Sequence, residues 1–409
     1  MDRRTGYIVE ELYRLGPMSN QELSKHLALS PASITHLLQP LVYHGILKER
    51  PPEEYPEDLL DDDGDDGRKR RRKITVTPNQ QYGYVISGEV TDNIIHFRKI
   101  DFALNFDETF QKSIELDVAG NFTEQIVQTI RQIKKDDPRK LLAIGFTVAG
   151  RVDHDTQRLI LSTTLGYLRD KDFASELRKQ IGVPTILFND ANALSLFERY
   201  AGKARNTEHF FSLFMNEGVG IGIFANGHLY EGFKDQAGET GHWIIDPKGP
   251  DMNGIPRGSL EAYVSQAAIA NQLRQAGFSL EDHEAYRVLY AELVRNPTLP
   301  RTGPSRIALV TPILDSICDR ISQLCTNLLH VFSPEKIFVY GPMADVGDIF
   351  LSRVREGIRK LTLPQRAQAL AASIELSDDW RRSMAMGAAK RAIDAYIEHL
   401  VSTWPDLKS

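Results

Sequence analysis

Ile8, Leu12 and Leu15 recur at helical spacing across residues 4–15, and Gly16-Pro17 ends the run. A second short helix is predicted from Asn20 to about Leu27, with Leu23 and Leu27 as its i and i+4 core contacts. A turn through Ala28-Leu29 leads to Ser30-Pro31. Ser30 suits an N-cap, and Pro31 falls at the first helical position, where a missing N–H costs nothing. The third helix then runs from Pro31 to about Tyr43, closed by Gly45, with Ile34, Leu37, Leu38 and Leu41 facing inward. Its opposite face begins with Ala32, Ser33, Thr35, His36 and Gln39, which are small or polar, as positions in a DNA groove need to be.

Two helices joined by a tight turn, the second well capped, read as a helix-turn-helix. Strands predicted at Ile46-Leu47-Lys48 and Ile74-Thr75-Val76 bracket a loop where a winged helix-turn-helix carries its wing, so residues 1–80 are assigned as a DNA-binding domain. The loop ends in six consecutive cations, Arg68, Lys69, Arg70, Arg71, Arg72 and Lys73, which on a wing would contact phosphate or the minor groove. Residues 53–66 are acidic, with prolines and a glycine, and are expected to be disordered. This tract either folds back on the cations and competes with phosphate, or is a tolerated insertion.

From about Tyr82 the pattern changes to alternating strands and helices. Tyr84-Val85-Ile86 and Ile94–Phe97 open a β-meander, and Phe122–Lys134 carries Ile126, Ile130 and Ile133 on one helical side. Leu141–Phe146 reads as a buried strand ending at Ala149-Gly150, and Ile186-Leu187-Phe188 as another running straight into a helix at Asn189-Asp190. Further strands are predicted at Phe210–Phe214, Gly220–Ala225 and Ile337–Tyr340. The order suggests two α/β lobes around a cleft. The first spans 81–190 and is completed by a C-terminal helix at 385–403. The second spans 191–384 and carries oligomerisation elements.

The 409 residues are 42% hydrophobic and 25% charged with a net charge of −6, so any nucleic-acid binding must come from a local patch. Cys318 and Cys325 lie seven apart on a predicted helix, a poor geometry for a disulfide, and read as buried thiols. The N-terminus has no signal-peptide core and no apolar run is long enough to span a membrane, so a cytoplasmic protein is expected.

Four segments in order identify a resemblance: Thr147–Asp153 (TVAGRVD), Phe188–Ala193 (FNDANA), Asn216–Gly232 (NEGVGIGIFANGHLYEG) and Gln236–Pro250 (QAGETGHWIIDPKGP). The chain resembles the ROK family, which groups sugar-responsive repressors and sugar kinases on an actin-like, hexokinase-type fold, and its N-terminus resembles the repressor branch. The resemblance implies a sugar pocket made by Gly150, Arg151, Thr163, Asn189 and Asp190 from one lobe and Glu239, His242 and Glu261 from the other. In the kinases the acid matching Asp190 is the general base; in a sensor it would only hydrogen-bond the sugar. Asn189-Asp190 would also serve to cap the helix that follows.

Family kinases carry an Asp-x-Gly-Gly-Thr phosphate loop after the first strand. The matching slot here holds Glu89-Val90-Thr91-Asp92-Asn93, without either glycine and with an added acid, although Gly218–Gly222 remains glycine-rich. The resemblance therefore implies a non-enzymatic repressor with operator DNA and a sugar or sugar-phosphate effector as partners, acting as a dimer or tetramer. The alternatives are an active ATP-dependent sugar kinase with an accessory DNA-binding domain, and a repressor that answers to a partner protein. Family members usually bind zinc through the histidine of Gly-x-Gly-His and three cysteines. Here the cysteine slots hold Met252, Gly254 and Ser259, so no metal cofactor is expected and the loop 250–259 must be ordered by other means.

Overall fold

A computed structural model describes residues 3–51, 74–252, 254–294, 307–377 and 379–403. The acidic tract 53–66 and the cations Arg68–Lys73 lie outside the described residues.

The N-terminal unit comprises α1 (Arg3–Leu15), β1 (Met18–Ser19), α2 (Asn20–Leu27), α3 (Pro31–Tyr43), β2 (Leu47–Arg50) and β3 (Thr75–Pro78). Local chemistry sets each boundary. Ser19 and Glu22 form a reciprocal capping box at the start of α2. Ala28 takes the left-handed conformation at its end (φ 52°), and Ser30 Oγ accepts from Ser33 N at 3.1 Å to start α3. The three strands form an antiparallel sheet in the order β1-β3-β2. Ile34, Leu38 and Leu41 are buried as the period requires, and Leu37 is half-buried.

The predicted face of α1 is rotated. Leu15 is 37% exposed, whereas Val9 and Tyr13 join Ile8 and Leu12 in the core. This helix packs against its own unit on one side and against the body of the protein on the other. Tyr13 OH donates to the Phe102 carbonyl, and Tyr200 OH donates to Glu10. Arg14 Nη1 donates to the Arg205 carbonyl at 3.1 Å. Ile74, predicted within a strand, precedes β3 and is exposed.

The first lobe contains β4 (Tyr84–Thr91), β5 (Ile94–Asp101), β6 (Lys112–Glu115), α4 (Phe122–Asp136), β7 (Leu141–Val148), β8 (Arg151–Asp153), β9 (Arg158–Leu161), α5 (Phe173–Ile181), β10 (Thr185–Asn189) and α6 (Asp190–Tyr200). Its main sheet has the order β10-β7-β4-β5-β6, parallel through the first three strands and antiparallel beyond. All eight residues of β7 are buried, as expected for a central parallel strand covered on both faces.

The second lobe contains β11 (Phe210–Met215), β12 (Val219–Ala225), β13 (His228–Leu229), α7 (Glu261–Val264), α8 (Gln266–Gln275), α9 (Ala285–Val294), α10 (Ile307–Val331), β14 (Lys336–Tyr340), α11 (Asp348–Leu361), α12 (Pro364–Ala372) and β15 (Ile374–Leu376). Its sheet runs β13-β12-β11-β14-β15. Cys318 and Cys325 are buried free thiols inside α10, and burial pushes both up to about 12. The chain closes with α13 (Trp380–Thr403), which packs on β4, β7 and α6. Among the described residues no helix is long and apolar enough to cross a membrane.

Helix α6 is held between the lobes by two glycines. A Cβ on Gly222 in β12 would lie 2.3 Å from the Ala191 carbonyl and from Ser195 Oγ, and one on Gly387 in α13 would lie 1.7 Å from the Ala193 carbonyl. Replacing a mid-helix glycine by alanine ordinarily stabilises a helix by about 1 kcal/mol. Gly387→Ala should instead destabilise the protein, by about 1–3 kcal/mol or more, because the methyl group meets backbone that has no room to retreat. Urea unfolding of the variant checks this; a stability equal to the parent's would show that α6 shifts freely.

Candidate binding site between the lobes

The site is assembled where strands end. β7 terminates at Val148, and Gly150 follows with φ 141°; a Cβ there would meet the Leu161 carbonyl at 2.2 Å, so the close crossing of the β8–β9 hairpin requires glycine. Ser162 Oγ ties the far end of that hairpin to the Ala149 carbonyl at 2.7 Å, which brings Thr163 to the cleft. At the β10–α6 junction, Asn189 Oδ1 accepts from Asn192 N at 3.1 Å while its Nδ2 donates to the Gly150 carbonyl at 2.9 Å. Asn189 thus caps α6 and fastens the two strand ends together. Asp190 is the first helical residue, and its Oδ1 accepts from Ala191 N at 2.7 Å. Burial pushes the Asp190 carboxyl up to about 7, reinforced by the charges of Glu217 and Glu239.

The second lobe supplies the facing wall. Gly238 (φ 91°) lets the chain pass Ile221, whose carbonyl would lie 2.0 Å from an added Cβ. Glu239 follows, then a one-turn helix over Thr240–His242. Glu261, at the start of α7, accepts from Val219 N through Oε1 at 2.9 Å, and its Oε2 lies 3.5 Å from His242 Nε2. That contact raises the His242 imidazole above its usual range, while burial raises Glu239.

All eight residues anticipated for a sugar pocket, Gly150, Arg151, Thr163, Asn189, Asp190, Glu239, His242 and Glu261, line one cavity of about 240 Å³. Arg151 Nε is buried with no hydrogen-bond partner among the described residues, which leaves a donor for a ligand oxygen. Ser162, Phe214, Asn216 and Glu217 also line the cavity. The motif that begins at Asn216 stands out in the sequence for its glycines, and only the fold brings the two polar residues at its head to the wall. Burial raises the Glu217 carboxyl as well.

The loop after His242 is ordered without cysteines. Ile245 N and Asp246 N both donate to the Gly258 carbonyl (3.0 and 3.1 Å), Gly258 N donates to the Pro250 carbonyl at 2.9 Å, and Tyr263 OH donates to Asp246 Oδ2 at 2.9 Å. Met252, Gly254 and Ser259 offer no thiolate, and among the described residues no group of three or more His, Cys, Asp or Glu could hold a metal ion. These residues do not fit a structural zinc.

On the N-terminal unit, Ser30, Ala32, Thr35, His36 and Gln39 are exposed along α3 and Ser33 is half-buried. Thr35 Oγ1 donates to the Pro31 carbonyl and accepts from Asn20 Nδ2, so it is already partnered within the unit.

Comparison with known proteins places this geometry. The model of the ROK family matches residues 97–395. The chain is 22% identical over 404 residues to the xylose repressor of Bacillus subtilis strain 168, covering 96% of this chain and 95% of that protein. It is 28% identical over 244 residues to the glucokinase of Thermotoga maritima, covering 59% of this chain and 75% of that enzyme. Among solved structures, a ROK family transcriptional regulator described as a homologue of the Escherichia coli Mlc protein superposes with a TM-score of 0.75 at 19% identity, over 98% of this chain and 99% of that one. The family match spans well over half of the sequence and includes every residue on the cavity wall, and the chain belongs to the ROK family.

Proposed function

We propose that the protein is a sugar-responsive transcriptional regulator. It binds operator DNA through α3 of the N-terminal unit, binds a sugar between the lobes, and catalyses no reaction. The observation that carries this reading is end-to-end likeness: the match to a repressor runs the length of both chains, whereas the match to a glucokinase covers 59% of this one. The cavity suits a single sugar ring. Its carboxylates, amide and guanidinium supply paired acceptors and donors for hydroxyls, and its 240 Å³ falls below the roughly 300–1,000 Å³ of sites for drug-sized ligands. Two half-sites of a palindromic operator call for two copies of α3, hence a dimer or a larger assembly. The donor set at residues 242–261 supports a zinc-free form of the site.

The charge beside the cavity argues against phosphoryl transfer. The β4–β5 turn holds Thr91-Asp92-Asn93 with Asp92 at φ 49°, and offers no glycine for close approach of phosphate. Glu89 is buried next to it. Burial pushes its carboxyl up to about 7, and Glu217 adds to the shift. A nucleotide triphosphate brought here would meet Glu89 and Glu217 rather than backbone N–H groups. An ATP-consumption assay across a hexose panel should give no turnover.

Asp190→Ala and Glu239→Ala proteins should retain operator binding and lose sugar-triggered release, read by gel shift with and without sugar. A parental response in both would remove these residues from the site. Glu89 provides a pH test. Its carboxyl rises from the ordinary 4.5 to about 7 on folding, so the folded state holds the proton more tightly. The resulting stability is fully present below pH 4.5 and is lost as pH rises to about 7. Glu89→Gln should therefore match the parent's thermal midpoint near pH 4 and exceed it at pH 8, by at most about 3 kcal/mol of stability. A constant offset across pH would show that Glu89 titrates normally.

A further inference from the structure

Backbone N–H groups that could receive a phosphate border the cavity at two places, and the chain's own side-chain oxygens occupy both. The first is the N-terminus of α6, an eleven-residue helix whose free N–H groups and dipole favour anions. There Ala191 N donates to Asp190 Oδ1 at 2.7 Å, and Asn192 N donates to Asn189 Oδ1 at 3.1 Å. The second is the turn that leads through Gly218 into β12, where Val219 N donates to Glu261 Oε1 at 2.9 Å. A Cβ on Gly218 would lie 2.4 Å from Glu261 Oε1, so this carboxylate sits hard against the turn and leaves no room for a phosphate oxygen.

The side chains add to this. Asp190, Glu217, Glu239 and Glu261 line the cavity, and Glu89 shares the adjoining space with Asp190 and Glu217. Among the lining residues the cationic groups are Arg151, whose charge acts on Glu239, and His242, which contacts Glu261. No lysine lines the cavity. A phosphomonoester carries about −1.5 to −2 charges at neutral pH. It would enter a small, partly dehydrated space walled by four carboxylates, with its customary N–H donors taken. An uncharged sugar offers hydroxyl protons to the same carboxylates and gains from each.

We propose that the cavity selects an uncharged sugar and rejects the phosphorylated form of that sugar, with Glu217 as the specificity-determining residue. This rests on the sugar-binding reading above and narrows it. Glu217 is assigned because it stands between the cavity and the adjoining space shared with Glu89, and because its carboxyl interacts with the Thr164 side chain, whereas those of Asp190 and Glu261 hold backbone N–H groups. Changing it to an amide removes charge while leaving those two loops tied.

The test uses the full chain and matched pairs: D-glucose with glucose 6-phosphate, N-acetyl-D-glucosamine with its 6-phosphate, and D-xylose with its 5-phosphate. Thermal shift finds the pair that binds, and calorimetry gives the two affinities. The free sugar should bind at least tenfold more tightly than its phosphate. Glu217→Gln should narrow that ratio at least threefold through a gain for the phosphate. Asp190→Asn serves as the second variant should Glu217→Gln fold poorly; because Asp190 also holds the sugar, it is read by a gain in the phosphate's own affinity rather than by the ratio alone. A phosphate that binds as well as its parent sugar overturns the proposal while leaving sugar binding intact. A ratio that neither variant moves removes the assigned role of these carboxylates. If no member of any pair shifts the midpoint, the sugar-binding reading falls and this proposal falls with it.

Discussion

Helix α6 cannot be displaced without disturbing both lobes, and most of what is functional in this protein is placed by it. Gly222 from the second lobe and Gly387 from the C-terminal helix approach its backbone so closely that neither position admits a Cβ. Its first residues, Asn189 as cap and Asp190, stand on the cavity wall. Its last, Tyr200, donates to Glu10 of the N-terminal unit and lies under Lys390 Nζ at 3.9 Å from the ring centroid. One rigid element therefore touches the ligand cavity at one end and the N-terminal unit at the other. A close-packed interior transmits displacement between its ends rather than absorbing it.

The cavity itself is an electrostatic compromise. Burial raises Asp190, Glu217 and Glu239, chiefly because the buried charge has lost its water. A hydroxyl-bearing ligand can relieve that state by donating to the carboxylates, whereas an anion would deepen it. The same acids that suit a sugar make the space beside Glu89 inhospitable to a triphosphate. In the proposed reading, sugar recognition and the absence of nucleotide chemistry are two consequences of a single charge distribution.

Much of this is legible in the sequence. Ser30-Pro31 announced α3 because capping and proline geometry are local, and the buried run Leu141–Val148 announced a central strand because both of its faces must be covered. Gly150, Asn189 and Glu239 were read from motifs. The exposure of Leu15 and the place of Glu217 on the cavity wall are not legible there, for a shared reason. Leu15 fits the helical period of its own segment, yet the face that α1 buries depends on the body it docks against. Glu217 follows a strand end like many acids, and only the opposing lobe turns it into a wall residue.

The sequence by itself determined the elements, their caps and turns, the family, and the chemical types available to the site, because these depend on residues close along the chain or on motifs kept intact. Tertiary structure alone decided which carboxylates share one cavity, which backbone N–H groups they occupy, and how a loop without cysteines is held by Gly258, Pro250, Asp246 and Tyr263. Some of these contacts join segments well apart in the chain, as Val219 and Glu261 do, and others close an irregular loop; their energies depend on distance and burial, which no local pattern encodes.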